Sequence, residues 1–80
     1  MNRQEIIEKV NEIIVNILGV DVKMLKENAA LDGDIGADSL DCMEILMQCE
    51  SEFQIKITDE ETVAIKTVGD IYEIIEKKIS

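Results

Sequence analysis

The side chain with the strongest claim to chemistry is Ser39, set in the run Asp34-Ile35-Gly36-Ala37-Asp38-Ser39-Leu40-Asp41. A glycine turn leads to one serine flanked by two aspartates, and a strongly amphipathic stretch follows it. The chain has no histidine, so a Ser-His-Asp triad is excluded. A Gly-x-Ser-x-Gly elbow and a glycine-lysine phosphate loop are absent as well. The position offers an exposed hydroxyl beside unpaired backbone N–H groups at a helix start, where a phosphate is electrostatically favoured. Its plainer role is a helix N-cap. Ser51 and Ser80 have no comparable surroundings.

The two thiols offer less. On one helix, Cys42 and Cys49 have Cα atoms roughly 10.5 Å apart, whereas a disulfide needs less than about 7 Å. They read as buried or half-buried small hydrophobes, and without histidine they furnish neither a zinc site nor a Cys/His pair. A calcium loop beginning at Asp32 would put its ligands at Asp32, Asp34, Gly36, Asp38, Leu40 and Met43. That loop requires glycine where Ala37 stands and a bidentate glutamate where Met43 stands. No metal site is expected.

Eighty residues make one small domain, 1–80. An apolar content of 46% suffices for a core, yet Phe53 and Tyr72 are the only aromatic residues, so Ile, Leu, Val and Met must build it. Eighteen acidic against eight basic residues give a net charge of −10. Such a field disfavours nucleic acid and anionic membrane surfaces and favours partners with a basic patch. Apolar runs are too short to cross a bilayer, and the first residues do not read as a signal peptide. A cytoplasmic monomer without catalytic residues of its own is expected.

The elements that must position Ser39 follow from periodicity. Ile6, Val10, Ile13 and Ile17, with Ile7, Ile14 and Leu18 beside them, predict a helix over about Arg3–Leu18. Asn2 with Glu5 suggests its N-cap, and Gly19 its stop. From Val20 to Asp38 the period is lost, a loop long enough to be functional. Val22, Leu25, Leu31 and Ile35 are its expected core pins, with a helical turn near Val22–Leu25. A second helix is predicted over about Ser39–Glu52, capped by Asp38 or Ser39. Thr58 and Glu61 form a capping-box pattern for a short third helix, about Asp59–Ile65. Thr67 opens the last, on which Val68, Ile71, Tyr72, Ile75 and Ile79 share a face. Ile55-Lys56-Ile57 is too short to demand a strand. The expected fold is all-α: a small four-helix bundle, three main helices and one short, with a long loop between helices 1 and 2.

The second helix carries two apolar stripes. Leu46, Cys49 and Phe53, with Ile45 alongside, suit a core; Leu40, Met43 and Met47 repeat at the same i, i+3, i+7 spacing. If the helix is central, both stripes are core. The other reading makes Leu40, Met43 and Met47 a surface for partner proteins, where flexible thioethers adapt to several shapes. Charge favours the latter. No basic residue lies between Lys26 and Lys56, an interval that holds eight acids including Asp38, Asp41 and Glu44. A field of one sign steers a complementary partner.

The triplet Asp38-Ser39-Leu40, the acidic helix with Asp41 and Glu44, Phe53, the segment Asp59-Glu60-Glu61 and the last amphipathic helix together resemble the acyl carrier protein family. The resemblance covers nearly the whole chain. It implies that a phosphopantetheinyl transferase moves 4′-phosphopantetheine from coenzyme A onto Ser39. The thiol of that arm would then carry acyl groups as thioesters to fatty-acid, polyketide or related lipid-synthesising enzymes with basic docking patches. Asp38, Leu40, Asp41, Met43, Glu44 and Met47 would form the docking surface. An acyl chain is expected to shelter among side chains such as Ile45, Leu46, Ile65 and Ile71. Thr58 replaces a proline common in the family, Cys42 a small polar or β-branched residue, and Gly33 loosens the approach to the site. A peptidyl or D-alanyl carrier is a rival within the class, disfavoured by the acidic Asp38. A cofactor-free helical interaction module is a rival outside it.

Overall fold

The computed structural model describes residues 1–79 and contains four α-helices: α1 (Arg3–Leu18), α2 (Ser39–Phe53), α3 (Asp59–Ala64) and α4 (Val68–Ile79). Each begins with the same device. Asn2 and Glu5 exchange backbone and side-chain hydrogen bonds at α1, as do Asp38 and Asp41 at α2 and Thr58 and Glu61 at α3. At α4, the Asp70 amide donates to Thr67 Oγ1 (3.1 Å) while the Thr67 amide donates to Asp70 Oδ2 (3.0 Å). A reciprocal cap satisfies two otherwise orphaned amide contacts and fixes where each helix starts. Helix α1 stops at Gly19, whose φ of 71° is left-handed and whose amide reaches Val15 O. Gln54 closes α2 in the same conformation, with φ 56°.

Helix α1 packs against α2 and α4, and α2 against α4. Ile6, Val10 and Ile14 of α1, Ile45 and Cys49 of α2, and Val68, Ile71, Tyr72 and Ile75 of α4 form the sealed centre. Burying Tyr72 is tolerable because its hydroxyl donates to Asn11 Oδ1. Helix α3 is lodged differently. No side chain of it is fully buried.

The long loop is ordered by contacts remote in sequence. Leu25, Ala29, Leu31, Ile35 and Ala37 point into the core. Val22 does not: expected as a core pin, it is 55% exposed. It opens a 3-10 turn, Val22–Met24, that lies on the surface, and the chain bends inward only at Leu25, whose ψ of 64° leaves the helical region. Farther on, the Leu31 amide donates to Lys66 O (3.0 Å), Val68 to Ala29 O (3.0 Å) and Gly69 to Glu27 O (2.8 Å). Ala30 and Thr67 thereby form an antiparallel bridge. Gly69 is obligatory in this seam, since an added Cβ would lie 2.7 Å from Glu27 O. Asp34 completes the loop by accepting the Ala30 amide at 2.8 Å.

Candidate functional site

Gly36, at φ 82°, turns the chain out of the loop, a conformation open to glycine at little cost. Ala37 then anchors it, buried and with its amide on Leu31 O (2.8 Å). The next residue is Asp38, the N-cap of α2; its Oδ1 accepts the Asp41 amide (2.9 Å), and Asp41 Oδ2 accepts the Asp38 amide (3.2 Å). Asp38, not Ser39, is therefore the cap. Ser39 is the first helical residue and is exposed. Its hydroxyl is left for chemistry outside the fold.

Beside Ser39 opens a cavity of about 460 Å³ between α2 and α3, bordered by Leu31, Ala37, Cys42, Met43, Val63 and Ile65 among others. A second hollow of about 390 Å³ continues along the same two helices, sharing Met43 and Val63 and floored by Leu46. Together they form an apolar cleft running from Ser39 towards Glu50. Of the four residues expected to shelter an acyl chain, Leu46 and Ile65 line this cleft, while Ile45 and Ile71 belong to the sealed core. The space beside Ser39 is thus an open slot between α2 and α3.

The second apolar stripe of α2 is surface. Leu40 is 74% exposed, Met43 54% and Met47 62%, and Val63 of α3 joins them at 71%. Ile45, Cys49 and Phe53 are buried towards the core, and Leu46, also buried, lies between the two stripes at the floor of the hollow. Sequence reading missed Val63; its only signal was one large apolar side chain in the otherwise polar or small residues of α3.

Apart from Lys66, which borders the cavity beside Ser39, the basic residues lie elsewhere. Arg3 pairs with Glu27 and Glu76 at 2.9 Å each, Lys9 with Glu52 at 3.2 Å and Lys78 with Glu61 at 2.9 Å. Glu50 accepts the Ile57 amide at 2.8 Å. Asp32, Asp38, Asp41 and Glu44 have no ion pair among the described residues, so the field around Ser39 is predominantly acidic, with Lys66 the one basic residue bordering the same cavity. Asp32 was not among the sequence-predicted docking residues, yet it borders the same cavity. Burial, and then Asp41, Asp38 and Asp32, push the Cys42 thiol up, so it is a poor nucleophile despite facing the cavity. Among the described residues no group of three or more His, Cys, Asp or Glu side chains could hold a metal ion. Ser51 is exposed near the end of α2, and Ser80 lies outside the described residues.

These features suit a covalently tethered group. The start of α2 favours a phosphate, but Asp38 and Asp41 oppose a free one, so retention by charge alone would be weak. A phosphodiester bond to a serine hydroxyl would remove that difficulty, and an apolar cleft adjoins Ser39. Such an arrangement fits a carrier domain. The family model for the phosphopantetheine attachment site matches residues 8–75. The chain is 49% identical over 78 residues to the acyl carrier protein of Thermotoga maritima, covering 98% of this chain and 96% of that one. It is 41% identical over 80 residues to the acyl carrier protein of Thermosynechococcus vestitus, covering 100% and 99% respectively. Its fold matches the solved acyl carrier protein of Enterococcus faecalis with a TM-score of 0.82 at 32% identity, over 98% of this chain and 99% of that chain. The chain belongs to the phosphopantetheine attachment family and, within it, to the acyl carrier proteins.

Proposed function

We propose that Ser39 is the residue that bears 4′-phosphopantetheine, and that the single domain 1–80 works as a monomeric cytoplasmic carrier. The observation that carries this reading is the exposed Ser39 hydroxyl, placed by the Asp38–Asp41 cap at the mouth of the α2–α3 cleft. The group, when attached, supplies a thiol on which acyl chains ride as thioesters. The protein's own residues do the rest. Asp38 and Asp41 fix the helix start that presents the serine. Leu46, Ile65 and Met43 offer apolar cover for the first part of an acyl chain. Asp38, Leu40, Asp41, Met43, Glu44 and Met47 form the face on which a phosphopantetheinyl transferase and acyl-chain enzymes dock through basic patches. The excess of acids there, none of them in an ion pair among the described residues, supports that assignment. Among the described residues no helix is long and apolar enough to cross a membrane.

Intact mass after incubation with coenzyme A and a transferase tests the attachment point. The wild type gains one phosphopantetheine and Ser39→Ala gains none, while its helical content is unchanged because Asp38 supplies the cap. Modification of the Ser39→Ala protein at another serine would overturn the assignment. Glu44→Lys tests the docking face: Glu44 has no role in the cap, so its reversal slows loading and weakens the salt dependence without loss of helix. Loading indifferent to both would remove the electrostatic account.

A further inference from the structure

We propose that the Met43 and Met47 thioethers are a modification site that takes one oxygen atom each from a peroxide, and that the sulfoxides switch off docking on α2. The proposal rests on the docking face described above. The two side chains lie four residues apart on the exposed side of one helix, so a small oxidant reaches both sulfurs. Met43 is also the junction of the surface: it borders the cavity at Ser39, the hollow above Leu46 and the outer groove with Leu40 and Glu44. The chain's competing sulfur is withdrawn. Cys49 is buried and its thiol is pushed up to about 12, and Cys42 is half-buried. Thiolate, the reactive form, is therefore scarce at neutral pH.

In the reaction a sulfur lone pair attacks one peroxide oxygen and the O–O bond breaks. Sulfur is oxidised to the sulfoxide, and the departing hydroxide takes the proton left on the transferred oxygen to form water. Reduction consumes two thiols, returning the thioether with one disulfide and one water. A sulfoxide turns a pliable apolar contact into a polar, chiral one. Docking would bury its oxygen, and Asp38, Glu44 and Glu50, which border the same cavities and groove, have acceptors where it needs donors, so a donor would have to be drawn from the partner's basic groups that these acids engage. The fold should survive, because neither methionine contributes to the core. Met1 and Met24 are exposed too, at the N-terminus and on the 3-10 turn, away from α2. They will also oxidise, and serve as controls.

The experiment uses the apo protein, so that no arm thiol competes, treated with hydrogen peroxide and quenched with catalase. Peptide masses locate the added oxygen, and the initial rate of transferase loading is compared with each variant's own untreated sample. Oxidised wild type should load at least about fivefold more slowly, the loss expected for one buried acceptor without a donor. Methionine sulfoxide reductases with a dithiol should restore the rate. A Met43→Leu/Met47→Leu protein should lose its sensitivity to peroxide, and Met24→Leu should keep it. The proposal is overturned if the double variant slows as the wild type does, if Met24→Leu is protected, or if circular dichroism shows that oxidation melts the helices. If Glu44→Lys slows loading while oxidation does not, the docking face stands and the modification site falls. If neither slows loading, both fall.

Discussion

Asp38 has two duties, and substituting it two ways separates them. As N-cap of α2 it accepts the Asp41 amide at 2.9 Å, a bond an amide oxygen can also accept. Asp38→Ala removes that acceptor, but the reciprocal bond from the Asp38 backbone amide to Asp41 remains available. One cap bond is lost, at a cost of about 1 kcal/mol. For a domain of this size that lowers Tm by about 4–8 °C. Asp38→Asn keeps the acceptor and loses only the charge. The charge interacts favourably with the helix end, worth about 0.3–1 kcal/mol at an exposed position, but it also repels the unpaired Asp32, Asp41 and Glu44. These effects oppose each other, so the Asn variant should melt close to wild type. Loading by the transferase should follow charge instead: both variants slow to a similar degree and lose part of their salt dependence. Thermal unfolding by circular dichroism and loading by intact mass, on the same samples, give the two orders. An Asn variant that melts as low as the Ala variant would refute the cap. An Asn variant that loads like wild type would remove Asp38 from the docking surface.

Gly69→Ala should destabilise the protein although alanine is the better helix former, because its Cβ would meet the Glu27 carbonyl at 2.7 Å. Overpacking of about 1–3 kcal/mol exceeds the propensity gain of at most about 1 kcal/mol, and a Tm at or above wild type would refute the seam. The Asp70 carboxyl is held below the usual carboxylate range, chiefly by the Lys66 amide and then by the Thr67 amide. Its contribution is present above the unfolded-state carboxylate pKa and is lost as pH falls through the lower folded value, so Asp70→Asn should narrow its deficit against wild type in acid melts; a deficit constant with pH would refute this. Acyl-loaded samples should melt higher as the chain lengthens, each CH₂ covered by the α2–α3 cleft contributing at most about 0.8 kcal/mol. A flat series would place the chain outside the cleft.

What the sequence revealed and what it hid divide along a physical line. Helix positions and the two faces of α2 rest on local periodicity, so Leu40, Met43 and Met47 could be picked out as a second stripe. Only packing could decide that the stripe is exposed. The caps at Asn2 and Thr58 were readable because each has glutamate three residues on. Asp38 (with Ser39 as its alternative) and Thr67 were readable as helix starts as well, but their reciprocal partners, Asp41 and Asp70, are shorter than the glutamate of the usual box and were not picked out. Val22 misled because an apolar residue in a surface turn has no periodic neighbours to assign it a side. The seam joining Glu27, Ala29 and Leu31 to Lys66, Val68 and Gly69 consists of backbone bonds between segments distant in sequence, and side-chain patterns do not encode it. Even so, Gly69 inside a helical pattern was a hint, since such a glycine often marks a close backbone approach.

That seam links the stable part of the molecule to the reactive part. Ser39 is exposed and outside the buried centre, yet its position is set by Gly36 and Ala37, whose segment is tied through Leu31 and Lys66 to the start of α4. Helix α3 spans from the capped Thr58 to that anchored seam, tied to α4 by the Lys78–Glu61 ion pair but with no side chain of its own sealed in the core. Loosening α3 would widen the cleft without moving Ser39, because the loop holding Ser39 bonds to Lys66–Gly69 and not to α3. A carrier needs this division, with a fixed attachment point and a yielding wall opposite. It follows that Val63→Ala, on the yielding wall, should disturb acyl cover more than it disturbs loading. Gly69→Ala, in the fixed seam, should disturb both.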